Sequence, residues 1–175
     1  MNNAGRYDGK TTFQTIYDAF LSLITDDMYM EWGKEETYAD TKNMFLSAIS
    51  KFQFPRFKLY DFVEIDPDDM FYSDQEEDHF NFALTREEIN IFAHLMVVEW
   101  LNRQLASVDI TRQAYSSRDF EFTSQANHLD KLIKLKESFV REATRLQRLY
   151  TRRKKDNEGY FVPNYSGFGG KNNAN

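Results

Sequence analysis

The stretch from Thr85 to Tyr115 constrains the fold more than any other part of this chain. Thr85 stands where a helix N-cap belongs and Glu88 three residues later, the pairing that satisfies two orphan N–H groups reciprocally. Behind this start, Ile89, Phe92, Leu95, Met96, Val97, Trp100, Leu101, Leu105 and Val108 follow at spacings that cover nearly every face of the first half. A surface helix carries one apolar stripe, whereas an all-round apolar helix needs neighbours on several sides. The pattern therefore predicts a central helix from about Arg86 to Tyr115.

The flanking segments supply those neighbours. Thr11 or Thr12 can cap a first helix, with Phe13, Ile16, Tyr17, Phe20, Leu23 and Ile24 at helical spacing. Met28, Tyr29, Met30 and Trp32 then read as a short extended connector closed by Gly33. A second helix is expected from Lys34 to Ser50, its Glu35 and Glu36 suited to the positive end of the helix dipole. Its apolar stripe is Tyr38, Thr41, Phe45, Ala48 and Ile49. Pro55 keeps the next segment extended. Leu59 to Val63, and the alternating Phe80, Phe82 and Leu84, suggest two short strands. They form a hairpin insertion over about 57–84, joined by the acidic runs Asp66 to Asp69 and Asp74 to Asp78. That loop lacks the ligand spacing of a calcium loop and reads as solvated. A last helix opens at Thr123 or Ser124 and is expected to pack through Leu129, Ile133, Val140 and Leu146.

The expected fold class is thus mainly α: a four-helix bundle over 11–155 with a small β-hairpin insertion. A flexible N-terminus (1–10) precedes it and an extended C-terminal tail (156–175) follows.

Chemistry is sparse. The chain has no cysteine, which removes disulfides, thiolate metal sites and a thiol nucleophile. His79, His94 and His128 lie in three different elements, none with a metal-ligand partner at helical spacing. His94 reads as a helix-packing residue, and Glu99 as a surface acid paired with Arg103 four residues on. Gly167-Phe168-Gly169-Gly170 is not followed by a helix, so it is no dinucleotide motif. No catalytic, metal or cofactor site is expected, and an enzyme is a poor fit. No apolar run reaches the roughly 20 residues that span a bilayer, so no membrane partner is expected.

Charge is unevenly spread. Residues 1–100 hold 8 basic and 20 acidic side chains, whereas residues 101–175 hold 14 basic and 8 acidic. The basic excess concentrates in 131–155, with 10 basic and 2 acidic side chains. Arg145, Arg148, Arg152, Arg153, Lys154 and Lys155 form the basic end of the last helix. The tail behind it carries Tyr160, Phe161, Val162, Tyr165 and Phe168 among glycines and asparagines. Large apolar groups in a tail that cannot fold alone suit docking on another surface. A basic helix serves a phosphate backbone or an acidic protein surface. No nucleic-acid docking motif is evident, so protein is the favoured partner, with nucleic-acid binding by the basic helix and aromatic tail as the alternative.

Several strings, taken together, point to a family. They are Ile24 to Trp32 (ITDDMYMEW), Phe52 to Arg56 (FQFPR), Leu84 to Ile89 with Val98 to Leu101, Phe122 to Leu129 (FTSQANHL), and Leu149 to Lys154 (LYTRRK). Over about residues 11–155 the chain resembles the head–tail connector (adaptor, or neck) proteins of tailed bacteriophages. The resemblance lies in overall pattern, not in a catalytic motif. It implies a helical-bundle structural protein of the virion neck, synthesised in the host cytoplasm. Such proteins form a ring, commonly of twelve copies, beneath the portal. The ring extends the DNA channel, which genomic DNA crosses without sequence readout, and receives the next neck or tail component. A C-terminal segment docks on the portal in related connectors; the matching segment here is Asn157 to Asn175. The acidic loop around 66–78 has no counterpart implied by the resemblance.

Overall fold

The computed structural model describes residues 9–24, 29, 31–53, 55, 58–65, 77–114, 122–155 and 161–163, with the side chains of 109–114, 122–126, 154–155 and 161–163 left out. The described residues are mainly helical. In chain order they form β1 (Thr11–Thr12), α1 (Phe13–Leu21), α2 (Lys34–Ile49), β2 (Phe62–Val63), β3 (His79–Phe80), α3 (Arg86–Ala114), α4 (Phe122–Thr151), β4 (Arg153–Lys155) and β5 (Phe161–Pro163).

The capping box forms as the sequence predicts. Thr85 N–H donates to Glu88 Oε2 at 2.6 Å, and Glu88 N–H donates to Thr85 Oγ1 at 3.3 Å. From that start α3 runs 29 residues, about 43 Å at 1.5 Å per residue. Ile91, Phe92, Ala93, Met96, Val97 and Leu101 are buried along its first half, which α1, α2 and α4 surround. The all-round apolar pattern thus marks the central helix of a bundle.

One aromatic series links the layers. Phe13 of α1 meets Phe45 of α2 edge-on with ring centroids 4.7 Å apart, and Phe45 meets Phe92 of α3 at 5.3 Å. Phe92 meets Phe52 at 4.9 Å, and Phe52 meets Tyr150 at the end of α4 at 5.5 Å. All five phenyl rings and Tyr150 within this series and its neighbour Phe80 are buried. Each such ring contributes roughly 1.5–3 kcal/mol by burial, and edge-to-face pairs add about 0.5–1.5 kcal/mol.

The expected hairpin is part of a three-stranded antiparallel sheet in the order β1-β3-β2. Thr11 pairs with Phe80 and Thr12 with His79, while Phe62 and Val63 face the same two residues from the other side. The residues before the first helix therefore serve as a strand, without the side-chain cap expected of Thr11 or Thr12. Thr11 Oγ1 accepts the N–H of Leu84 at 2.8 Å, and Thr12 makes no side-chain cap bond. Asp78 closes the corner. Its carbonyl accepts Phe13 N–H at 2.8 Å, its Oδ1 accepts Ile65 N–H at 2.6 Å, and its Oδ2 meets Lys42 Nζ at 2.7 Å.

Four expectations need correction. Tyr29 and Glu31 are helical, so this part of the connector is a turn of helix and not extended. Glu99 pairs with Lys51, and Arg103 with Asp40, so both charges of the expected i,i+4 pair reach instead to the α2 side of the bundle. Helix α4 packs through Leu132, Phe139, Ala143, Leu146 and Tyr150, whereas Ile133 and Val140 are 40% and 41% exposed. Two apolar series run along α4 about a quarter-turn apart, and the one carrying the aromatic rings faces the core. Lastly, α4 ends at Thr151, and Arg153–Lys155 are strand β4, paired antiparallel with Phe161–Pro163. The basic segment thus leaves the helix before its end, and part of the tail folds back against it.

Candidate interaction surface

Helix α4 presents a basic seam on the side away from the core. Arg141, Arg145, Arg148 and Arg152 follow at i, i+4, i+7 and i+11, the spacing that stacks side chains on one helix face. All four are exposed. They line, with Val140, Thr144 and Leu149, a groove of about 520 Å³. Glu142 lies beside Arg145 at 2.6 Å, and Glu137 lies 3.7 Å from Arg141. The hydrogen bond from Arg145 holds the Glu142 carboxyl below its ordinary range and raises Arg145 in turn. Exposed pairs of this kind contribute little to stability. Among the described residues Arg148 and Arg152 have no ion-pair partner, so positive charge dominates the seam's C-terminal half.

The sequence-predicted site residues separate into three sets. Arg145, Arg148 and Arg152 come together on this seam, joined by Arg141. Arg153 is drawn elsewhere: its guanidinium donates to Glu87 Oε2 at 2.8 Å, fastening the start of β4 to the first turn of α3. Lys154 and Lys155 lie in β4, in register with Val162 and Phe161 of β5. Tyr160, Tyr165 and Phe168 lie outside the described residues, as does most of the acidic loop.

Helices α1 and α2 carry a second feature that sequence reasoning missed. A cleft of about 490 Å³ opens between α1 and the start of α2, lined by Tyr17, Leu21, Tyr29, Trp32, Tyr38 and Glu77 among others. Tyr29 and Trp32 stand edge-to-face at 5.8 Å, and Tyr29 Oη donates to Asp40 Oδ2 at 2.7 Å. Trp32 is 38% exposed. The charged residues of its lining are Glu77 and Lys34. The signal available in the sequence was Trp32 standing among acids beside Gly33.

At the floor of the cleft, burial raises Tyr17 far above the ordinary tyrosine range, with the Tyr38 and Asp78 oxygens adding to it. Burial likewise raises Tyr38, beside the Asp78 carboxylate. Burial alone would lower Lys42, but its bonds to Asp78 and Glu64 outweigh that and raise it.

No three His, Cys, Asp or Glu side chains gather as a metal-holding group among the described residues. His79 accepts from Lys10 Nζ at 3.1 Å and reaches the Glu77 carbonyl at 2.8 Å. His94 bonds the Asn90 carbonyl and packs at 5.7 Å on Phe139, the helix-packing role its position suggests. No described helix is long and apolar enough to cross a membrane.

No protein-family model, curated protein or solved structure matches this chain. The functional reading therefore rests on the arginine seam and on the sequence pattern.

Proposed function

We propose that this chain is a structural head–tail connector of a phage-type virion: a ring-forming adaptor beneath the portal, with the C-terminal segment as its portal tether. The single observation that carries this reading is the uneven charge of the chain, acidic over residues 1–100 and basic over 101–175, with the basic part displayed as an exposed arginine seam on α4. A monomer gains nothing in stability from such polarity, whereas an assembly gains orientation and partner choice. The resemblance of residues 11–155 to connector proteins supports the same conclusion. The ring, commonly of twelve copies in such proteins, would let genomic DNA pass without sequence readout and would seat the next neck or tail component.

The arginine seam also favours a second reading, nucleic-acid binding, because guanidinium groups at this spacing suit phosphates. Two experiments decide between them. Portal protein is immobilised and challenged with the full chain and with a chain lacking residues 157–175. The connector reading expects capture of the first and loss of the second, while circular dichroism remains unchanged; equal capture overturns the tether. Duplex and single-stranded oligonucleotides are then titrated at two salt concentrations. Sub-micromolar affinity at physiological salt, falling steeply as salt rises, would establish the second reading in place of the first.

A further inference from the structure

The last described residues bring the chain back to the arginine groove. Helix α4 stops at Thr151, and Arg152, part of the groove lining, leads directly into β4. Strand β5 returns antiparallel, with Lys155 opposite Phe161, Lys154 opposite Val162 and Arg153 opposite Pro163. At Pro163 the chain therefore lies about one strand spacing, roughly 5 Å, from the first residue of β4 and heads back toward the end of α4.

Length and spacing both suit a chain laid along the groove from that point. Twelve residues of the sequence, Asn164 to Asn175, follow Pro163. Extended, they reach up to about 40 Å. The groove runs from Arg152 back to Val140, about 18 Å at 1.5 Å per helical residue. An extended chain would bring Tyr165, about 7 Å beyond Pro163, level with Leu149, and Phe168, about 17 Å beyond it, level with Thr144 and Arg141.

The chemistry agrees with the spacing. The groove sets apolar Val140 and Leu149 among the guanidinium groups of Arg141, Arg145, Arg148 and Arg152. Val140 is 41% exposed, a large apolar group that the described residues leave open. Guanidinium planes stack on aromatic faces, and their methylene stems pack against rings. Tyr165 and Phe168 supply the rings, and Gly167, Gly169 and Gly170 let a backbone approach a helix closely. A polyanion would satisfy the arginines but leave Val140 and Leu149 uncovered. A segment joined to the groove's own end also acts at millimolar effective concentration, on the order of what a short linker gives.

We infer that residues 164–170 lie along the arginine groove of their own α4, with Tyr165 against Leu149 and Arg148 and Phe168 against Val140 and Arg141. Both aromatics are portal anchors in the connector reading. The groove thus withholds them in the free chain, and the portal must compete for them. That consequence rests on the connector reading, whereas the docking itself does not.

The absence of native cysteine allows a direct test. Full-length chain carrying T144C and G167C is exposed to oxidised glutathione, with folding checked by circular dichroism. The expected product is a monomer with an internal disulfide. It should form at least roughly tenfold faster than in the same chain carrying Y165A and F168A, since the linker contributes equally to both and the ratio isolates the ring contacts. Equal rates, or disulfide-linked dimers as the main product, overturn the inference. Immobilised portal protein then separates it from the connector reading. The oxidised chain should be captured at least about tenfold less than the reduced chain, because its anchors are held; equal capture of the two forms overturns the withholding. Capture of the reduced chain without a fast internal disulfide overturns the docking and leaves the connector reading standing. A fast internal disulfide in a chain that portal never captures upholds the docking and removes the connector reading instead.

Discussion

Glu88 is the residue whose loss the structure predicts to be felt at both ends of the longest helices. It is 6% exposed. One carboxylate oxygen accepts the Thr85 N–H at 2.6 Å, and the other accepts the Tyr150 hydroxyl at 2.8 Å. It thus joins the first turn of α3 to the last turn of α4, across 62 positions of sequence. In Glu88→Ala the capping box loses one arm, worth about 1 kcal/mol. The Tyr150 hydroxyl, on a side chain only 2% exposed, is left without this partner, which costs about 1–3 kcal/mol. The expected loss is about 2–4 kcal/mol. Tyr150→Phe removes the same bond from the other side and should cost about 1–2 kcal/mol, since hydrogen bonds to charged groups sit at the upper end of the range. Because the two changes break one interaction, the double mutant should be less destabilised than the sum of the singles by about 0.5–3 kcal/mol. Urea unfolding followed by far-ultraviolet circular dichroism measures all three variants, and an unchanged m-value licenses the comparison. Additive effects, or a Glu88→Ala loss below about 0.5 kcal/mol, would refute the claim that this carboxylate couples the helix ends.

Three further outcomes are expected. Phe45→Ala removes a fully buried ring that contacts Phe13, Tyr17, Phe80 and Phe92, so thermal or urea unfolding should show a loss of about 3–5 kcal/mol; a loss under about 1 kcal/mol would contradict the assigned core. Thr11→Val leaves the Leu84 N–H without its acceptor in a buried corner and should cost about 1–3 kcal/mol, whereas an unchanged midpoint would show that β1 is not tied to the start of α3. Tyr17 and Tyr38 are raised in the folded state above the ordinary 10.0, so the stability they contribute is complete below pH 10 and is lost as pH rises beyond it. An ultraviolet tyrosinate titration should therefore show two late phenols that ionise only as circular dichroism reports unfolding; normal titration of all ten tyrosines in the folded state would contradict the buried network.

How far the sequence carried this account differs by element. The central helix was legible because its start is a local motif and its all-round apolar pattern has one interpretation. Helix α2 was legible for a similar reason, from Glu35 and Glu36 through the Tyr38, Thr41, Phe45 stripe. Strand β1 was not, because Thr11 and Thr12 have the same local preference as caps and as strand residues, and their partners lie nearly 70 positions away. The pairings of Glu99 and Arg103 were misread for the same reason: a partner four residues on is visible in sequence, and Lys51 and Asp40 are not. Helix α4 carried two adjacent apolar series, and periodicity alone does not choose between them. That choice is what exposes Ile133 and Val140 and makes them available for an interface. The arginines of the seam were legible as a basic segment, but their alignment on the face away from the core, and the diversion of Arg153 to Glu87, are products of packing.

The central claim is that this chain assembles as a ring that joins a portal to what lies beyond it. Electron-microscopic imaging of the full chain mixed with portal protein tests it most directly. The account predicts a closed ring of copies stacked coaxially on the portal. Single copies that never associate with each other or with the portal, at concentrations where portal alone is intact, would contradict it.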